Sequence, residues 1–239
     1  MGGILILTAV ELEARVLARE LEFPLLPSLP FPAFGRGAVR LAAVGLRAGL
    51  LEARWAALTE GLDRPLIVSA GVCGALDPRL RPGDLAIPES VLAPTGGLYN
   101  VTPSQHRRAL GAAASRVRSP ARSGALVTTR DVVGTPEAKA LLFASTGALA
   151  ADMESAVILA RAAAAGCPSL VVRGVSDRAD QSLPPELVGL VTPEGKLRPG
   201  RALALMASRP AVLPRALALS HATRKALRAV ATLLAALLG

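Results

Sequence analysis

Two acids close two apolar runs in this chain. Ala-Leu-Ala-Ala-Asp152-Met153-Glu154 ends one, and Val-Val-Arg173-Gly-Val-Ser176-Asp177 ends the other, with Asp177 placed 23 residues after Glu154. In an open α/β sheet, ligands sit outside the carboxyl ends of the strands. That rule puts Glu154 and Asp177 at one rim, with Met153 beside them. Paired carboxylates suit chemistry that needs one group ionised and one protonated. A third acid, Glu13, follows the first apolar run. It is either a solvated first-turn helix acid, favoured there by the dipole, or a base for activating water.

Neighbouring residues extend the pattern. Gly71-Val72-Cys73-Gly74 follows an apolar run, and glycines there let backbone approach a ligand closely; a tight structural turn is the alternative. Met153 reads as gap-filling core or as an apolar floor under a sugar ring. Glu154 can accept from sugar hydroxyls. Ser176-Asp177 would also suit an N-cap. Cys73 and Cys167 read as inert buried thiols, and His106 and His221 as surface residues. Two isolated His and no Cys cluster argue against a structural zinc site.

Short β-type runs alternate with helical patterns. Strands are expected at 4–9, 39–44, 65–70, 84–92, 125–129, 148–151 and 169–175. Helices are expected at 10–21, 48–60, 103–116, 136–144 and 153–165. This alternation predicts a mostly parallel sheet with helices on both faces. Loops at 94–103 and 181–199 are expected to supply site residues. A helical stretch over 201–239, broken near Pro210 and Pro214, is expected as an extension of the same single domain, whose body is 1–200.

Composition bounds the rest. The chain has 239 residues and is 51% apolar, enough for one large α/β domain. No basic leader precedes the first apolar run, and no apolar run reaches the ~18 residues of a spanning helix. Two cysteines are too few for a disulfide framework and fit a reducing compartment. These features lead us to expect a cytoplasmic protein. The net charge is +9, but it is uneven: residues 195–239 hold 8 of the 27 Lys and Arg and no acid.

The four segments around Glu13, Gly71-Val-Cys-Gly-Ala-Leu-Asp-Pro, Asp152-Met-Glu-Ser-Ala and Val-Val-Arg-Gly-Val-Ser-Asp-Arg-Ala-Asp-Gln resemble, in this order, the purine nucleoside phosphorylase and methylthioadenosine/S-adenosylhomocysteine nucleosidase superfamily. The resemblance implies a three-layer α/β/α sandwich around a central mixed, mostly parallel sheet. It also implies cleavage of a purine nucleoside's N-glycosidic bond, no cofactor or metal, phosphate as the co-substrate if cleavage is phosphorolytic, and a homo-oligomer. Carried onto this chain, Asp177 would protonate or hydrogen-bond purine N7, Glu154 would hold the ribose hydroxyls, and Met153 would lie against the sugar. Gly71, Cys73, Gly74 and Ser176 would line the substrate site, and Val133 would stand where the family carries an aromatic against the base. Stacking on the base would then be weak or come from Tyr99, Phe143 or another chain. Ser69 and Val72 stand where many phosphorylases carry an Arg and a Ser for phosphate, so the departure favours hydrolysis by Glu13-activated water. Arg36, Arg40 or Arg47, from this or another subunit, remain candidates for phosphate. The tail, Leu183-Pro-Pro-Glu-Leu-Val-Gly-Leu-Val-Thr-Pro-Glu-Gly-Lys with Arg209-Pro-Ala-Val-Leu-Pro, resembles the hopanoid-associated branch, which implies an adenosylhopane-like substrate.

A basic, apolar helix with no acid can lie on an anionic membrane surface; the alternative is a terminal helix packed on the body or on a partner subunit. Two rival functions follow: a non-catalytic peripheral membrane protein on a nucleoside-binding fold, and a nucleic-acid binder. Few aromatics and no recognised motif weigh against nucleic acid.

Overall fold

The computed structural model describes residues 2–184, 186, 192, 194–195, 198, 200, 208 and 212–239. The chain starts with β1 (Ile4–Thr8) and α1 (Glu11–Glu20), then β2 (Ala33–Arg36), β3 (Val39–Ala43), α2 (Leu51–Thr59) and β4 (Leu66–Ala75). Next come β5 (Leu85–Ala86), β6 (Ser90–Leu92), β7 (Leu98–Asn100), α3 (Pro103–Arg116), β8 (Ala121–Arg122) and β9 (Ala125–Thr128). The remainder is α4 (Pro136–Thr146), β10 (Ala150–Asp152), α5 (Ser155–Ala164), β11 (Ser169–Asp177) and a long terminal helix, α6 (Leu213–Leu238).

The sheet is mixed. Its main path is β2-β3-β1-β4-β10-β9-β6-β7, and β11 joins β4 to β5, which pairs with β8. β1, β3, β4 and β11 run parallel in register, while β10 meets the end of β4 antiparallel. The period of two along β1 explains the layers. Leu5 and Leu7 face a cluster with Trp55 of α2 and Ile158 of α5. Ile6 faces the opposite cluster with Leu17 of α1, Ala109 of α3, and Val230, Leu233 and Leu234 of α6. Helices therefore cover both faces, as the sequence predicts.

Three expectations change. The glycine segment at 71–74 is not a turn: β4 runs through it to Ala75, because β11 pairs with it from Arg173↔Gly71 to Asp177↔Gly74. The strand expected at 84–92 is two short strands, with Pro88, which lacks a ladder donor, between them. His106 is buried, its Nε2 3.0 Å from both the Ile87 carbonyl and Ser123 Oγ. β2, β7 and β8 leave no clear mark in the sequence pattern.

The terminal helix is half core. Ala226, Leu227, Val230, Leu233, Leu234 and Leu237 are buried, whereas its residues before 226 are exposed or half-buried. Gly174 permits this approach, since a Cβ there would lie 2.6 Å from the Ala226 carbonyl oxygen. The break expected near Pro210, and most of the tail resemblance over 183–214, lie outside the described residues.

Candidate active site

A cavity of about 250 Å³ opens at the carboxyl ends of β1, β4, β10 and β11. Glu13, Cys73, Gly74, Val133, Met153, Glu154, Ser176 and Asp177 all line it. Gly71 does not line it. Its φ is +149°, and a Cβ there would lie 2.7 Å from both Glu13 Oε1 and Arg173 Nη1. Gly71 thus makes room for the carboxylate and guanidinium, not for a ligand.

Glu13 sits in the first turn of α1, turned back onto its own helix start. Its Oε2 accepts from the Ala9 and Val10 amides at 3.1 and 3.2 Å, and its Oε1 accepts from the Val72 amide at 2.9 Å. A carboxylate offers about four acceptor sites, so one remains for a ligand or water. Glu13 is buried, and burial pushes its carboxyl above the usual range, while Arg173 and the three amides pull against that shift. The capping role and the cavity position belong to one side chain.

Glu154 precedes α5 as its N-cap residue. Its Oε1 accepts from the Arg47 amide at 3.0 Å. Its other oxygen has no protein partner among the described residues. Burial, reinforced by the nearby Asp152 charge, raises its pKa to about 7. Arg47 reaches this contact with φ at +56°, a costly conformation for a residue with a Cβ.

Asp177 ends β11 and is no N-cap, since a turn at 179–180 follows it and no helix starts there. Its Oδ2 accepts from Lys139 Nζ at 2.5 Å, and its Oδ1 lies 2.6 Å from Ser176 Oγ. Lys139 is 1% exposed and spends its other two donors on the Arg178 and Gln181 carbonyls, at 2.7 and 2.9 Å. It is the one buried residue of α4. The sequence pattern carries no signal for this role of Lys139. Nothing in Pro136-Glu-Ala-Lys139-Ala-Leu distinguishes it from an ordinary helix lysine.

A second buried pair lies behind the acids. Arg173 Nη2 is 2.7 Å from Asp152 Oδ2, and each side chain is 1% exposed. Arg173 also donates to Ser69 Oγ at 2.8 Å and to Ser155 Oγ at 3.0 Å. Burial alone would lower its pKa; the charges of Asp152, Glu154 and Glu13 carry it above its ordinary value. Arg173 therefore acts as countercharge to a carboxylate cluster, a role the sequence reading did not assign.

The residues at the family's anion positions, Ser69 and Val72, and the candidate arginines are bonded within the protein. Ser69 serves Arg173, and the Val72 amide serves Glu13. Arg36 donates to the Glu22 carbonyl, and Arg40 donates to the carbonyls of residues 57, 58 and 60. Arg47 alone approaches the cavity mouth, donating to the Arg130 carbonyl and Asp131. Neither candidate aromatic lines the cavity. Phe143 packs on Leu76 and Val127, and Tyr99 lines an adjoining groove with Met153 and Arg47. Val72, Val132, Val133 and Leu183 supply the apolar walls instead. The Cys73 thiol is buried, and burial pushes its pKa far up, so it is an inert wall residue.

The model of the phosphorylase superfamily matches residues 51–206. The chain belongs to the phosphorylase superfamily. Solved structures agree on the fold. A 5′-methylthioadenosine/S-adenosylhomocysteine nucleosidase from Neisseria meningitidis, in complex with methylthio-immucillin-A, aligns with TM-score 0.71 at 17% identity, covering 100% of this chain and 99% of that one. The futalosine hydrolase of Helicobacter pylori aligns with TM-score 0.72 at 18% identity, covering 99% and 97%. A methylthioadenosine nucleosidase mutant from Helicobacter pylori, with 5′-methylthioadenosine in its active site, aligns with TM-score 0.70 at 17% identity, covering 98% and 96%. A comparison with curated proteins gives no significant match.

Proposed function

We propose that the chain cleaves the N-glycosidic bond of a purine nucleoside and that water is the nucleophile. One observation carries this reading: Glu154, with a free oxygen, and Asp177, with a fixed cation behind it, line the same cavity as Glu13. The base lies toward Asp177. Asp177, ion-paired to Lys139 in the free protein, takes up a proton as the nucleoside binds; as the C1′–N9 bond breaks, its electron pair goes to the purine and that proton passes to N7. Lys139 then faces the carboxylate as its charge develops, a preorganised electrostatic contribution. Glu154 accepts from the ribose hydroxyls, and Met153 packs on the sugar. The sugar carbon becomes oxocarbenium-like. Water adds to C1′ and gives its proton to Glu13, whose raised pKa suits a base acting near neutral pH.

Two observations favour water over phosphate. The Ser69 hydroxyl and the Arg173 guanidinium behind the cavity are consumed by internal bonds, and Glu13 keeps one acceptor site. The adjoining groove of Ala93, Pro94, Tyr99 and Val157 supports an apolar 5′ substituent, which is consistent with the adenosylhopane-like substrate that the tail resemblance implies.

The test is adenine release from adenosine, methylthioadenosine and a hydrophobic 5′-substituted adenosine, each with and without phosphate. Phosphate-independent release is expected, greatest for the hydrophobic substrate. Release only with phosphate would replace water as the nucleophile. No release from any of the three would refute the nucleoside reading.

A further inference from the structure

The first half of α6 is the least explained surface of the molecule. On a helix at about 100° per residue, Leu213, Leu217, His221, Arg224, Lys225 and Arg228 fall within one arc of about 120°, turned away from the buried stripe of Leu227, Val230 and Leu234. All six side chains in that arc are exposed, with Leu217 at 63%. Arg116 and Arg118, from the end of α3 and just beyond it, complete a cleft of about 530 Å³ with His221, Arg224, Lys225 and Arg228, about one to three turns along the helix from the nearer of the two leucines, and no carboxylate among the described residues lines it. Arg228 reaches Glu20 at 3.4 Å. Among the described residues, Arg116, Arg118, Arg224 and Lys225 have no ion-pair partner.

The helix also has a fixed orientation. Leu234 and Leu237 pack beside Ile4 and Leu66, at the starts of β1 and β4, and Ala226 lies on Gly174. The thirteen residues from Ala226 back to Leu213 span ~20 Å at ~1.5 Å each. The three residues of β11 beyond Gly174 span only ~10 Å. The exposed half of α6 thus extends past the end of the sheet that holds the cavity.

We propose that this face is a docking surface for an anionic phospholipid bilayer. Leucines interspersed among cations on one arc suit an interfacial helix, with the apolar side chains entering the headgroup boundary and the cations meeting lipid phosphate. Nucleic acid would use the cations alone and gains from aromatic stacking, and no aromatic among the described residues lines the cleft. No helix among the described residues is long and apolar enough to cross a membrane, so the contact is peripheral. The surface is independent of the nucleosidase reading, and its failure would leave that reading untouched.

The experiment is flotation of the full-length protein with vesicles of phosphatidylcholine alone and of phosphatidylcholine mixed with phosphatidylglycerol. Binding is expected only to the mixed vesicles and is expected to fall as salt rises. The triple substitution Arg116→Gln, Arg118→Gln, Arg224→Gln should weaken binding about a hundredfold, from the loss of three cations near the surface. Leu217→Ser should weaken it separately. Thermal melting should be unchanged in both, because these side chains pack on nothing buried. Equal binding to the two vesicle types, or undiminished flotation of the triple variant, overturns the proposal. So does binding to duplex DNA at a salt concentration where the mixed vesicles are not bound.

Discussion

Replacing Lys139 with methionine removes a buried ammonium and keeps most of the side chain's volume. Lys139 and Asp177 are 1% and 3% exposed at the side chain, and Nζ sits 2.5 Å from Oδ2. Breaking a buried pair by deleting one partner costs ~3–5 kcal/mol, because the remaining charge is stranded. The Arg178 and Gln181 carbonyls lose their donor as well, and an orphaned acceptor adds ~1–3 kcal/mol. The expected loss is therefore about 4 kcal/mol or more, a large share of the ~5–15 kcal/mol that holds a typical domain together. Urea unfolding at neutral pH reads it directly. The double variant Lys139→Met with Asp177→Asn should recover ~2 kcal/mol relative to the sum of the single losses, which is the coupling expected of a contacting pair. Catalysis gives a second readout. On a purine nucleoside, kcat should fall ~10²–10³-fold, as for other lost transition-state contacts, with KM little changed. A riboside with a p-nitrophenol leaving group needs no proton, so its turnover should be nearly unaffected. A stability loss below about 1 kcal/mol would refute the ion-pair reasoning, and equal slowing of both substrates would refute the role in proton transfer.

Further outcomes follow from the same geometry. The Glu154 pKa is raised from 4.5 to about 7 by burial. The stability that proton contributes is full below the unfolded value and is lost as pH rises through about 7, a fall of about 3 kcal/mol at ~1.36 kcal/mol per unit. Urea midpoints at about pH 5 and about pH 8, on either side of the folded pKa, should differ in the parent and converge in Glu154→Gln; equal slopes in both would show that another group carries the effect. Because a ribose hydroxyl donates to the ionised form, substrate affinity should rise over the same interval. Asp177→Asn should lower kcat by ~10²-fold or more with a modest change in KM, because the proton is needed in the transition state; near-normal turnover would remove Asp177 from the acid role. Gly174→Ala should cost at least ~1–3 kcal/mol through overpacking, since its Cβ would press on the backbone of α6. An unchanged melting temperature would show that α6 can shift freely.

The acids were legible because strand ends leave a mark in sequence. An apolar run that stops at Glu154 or Asp177, before a helical pattern or a loop, places the carboxylate at the sheet's rim without any knowledge of contacts. The layers were legible for a similar reason, since the period of two in Ile4–Thr8 separates two faces. Gly71 was half-legible: the need for a residue without Cβ was visible, but the group it accommodates, Glu13, lies 58 residues away in the chain. Periodicity carries no record of a partner brought in by tertiary packing.

Lys139 and Arg173 show where such reading stops. A buried cation looks like a solvated one until the carboxylate it meets is known, and here the meetings span 38 residues for Lys139–Asp177 and 21 for Arg173–Asp152. Each cation changes the chemistry of the acids beside it. Arg173 faces Asp152, Glu13 and Glu154 together, so one guanidinium is set against three buried carboxyls. They cannot all ionise without leaving an unbalanced buried charge. A proton is therefore retained among them, and it falls to Glu13 and Glu154, the two whose pKa values rise. Asp152 makes the direct contact with Arg173. A substrate hydroxyl that donates to Glu154 favours its ionised form, and the added negative charge makes Glu13 a stronger base when a water must be activated. Glu154→Gln should on this account lower kcat as well as raise KM, whereas a side chain that only anchors ribose would change KM alone.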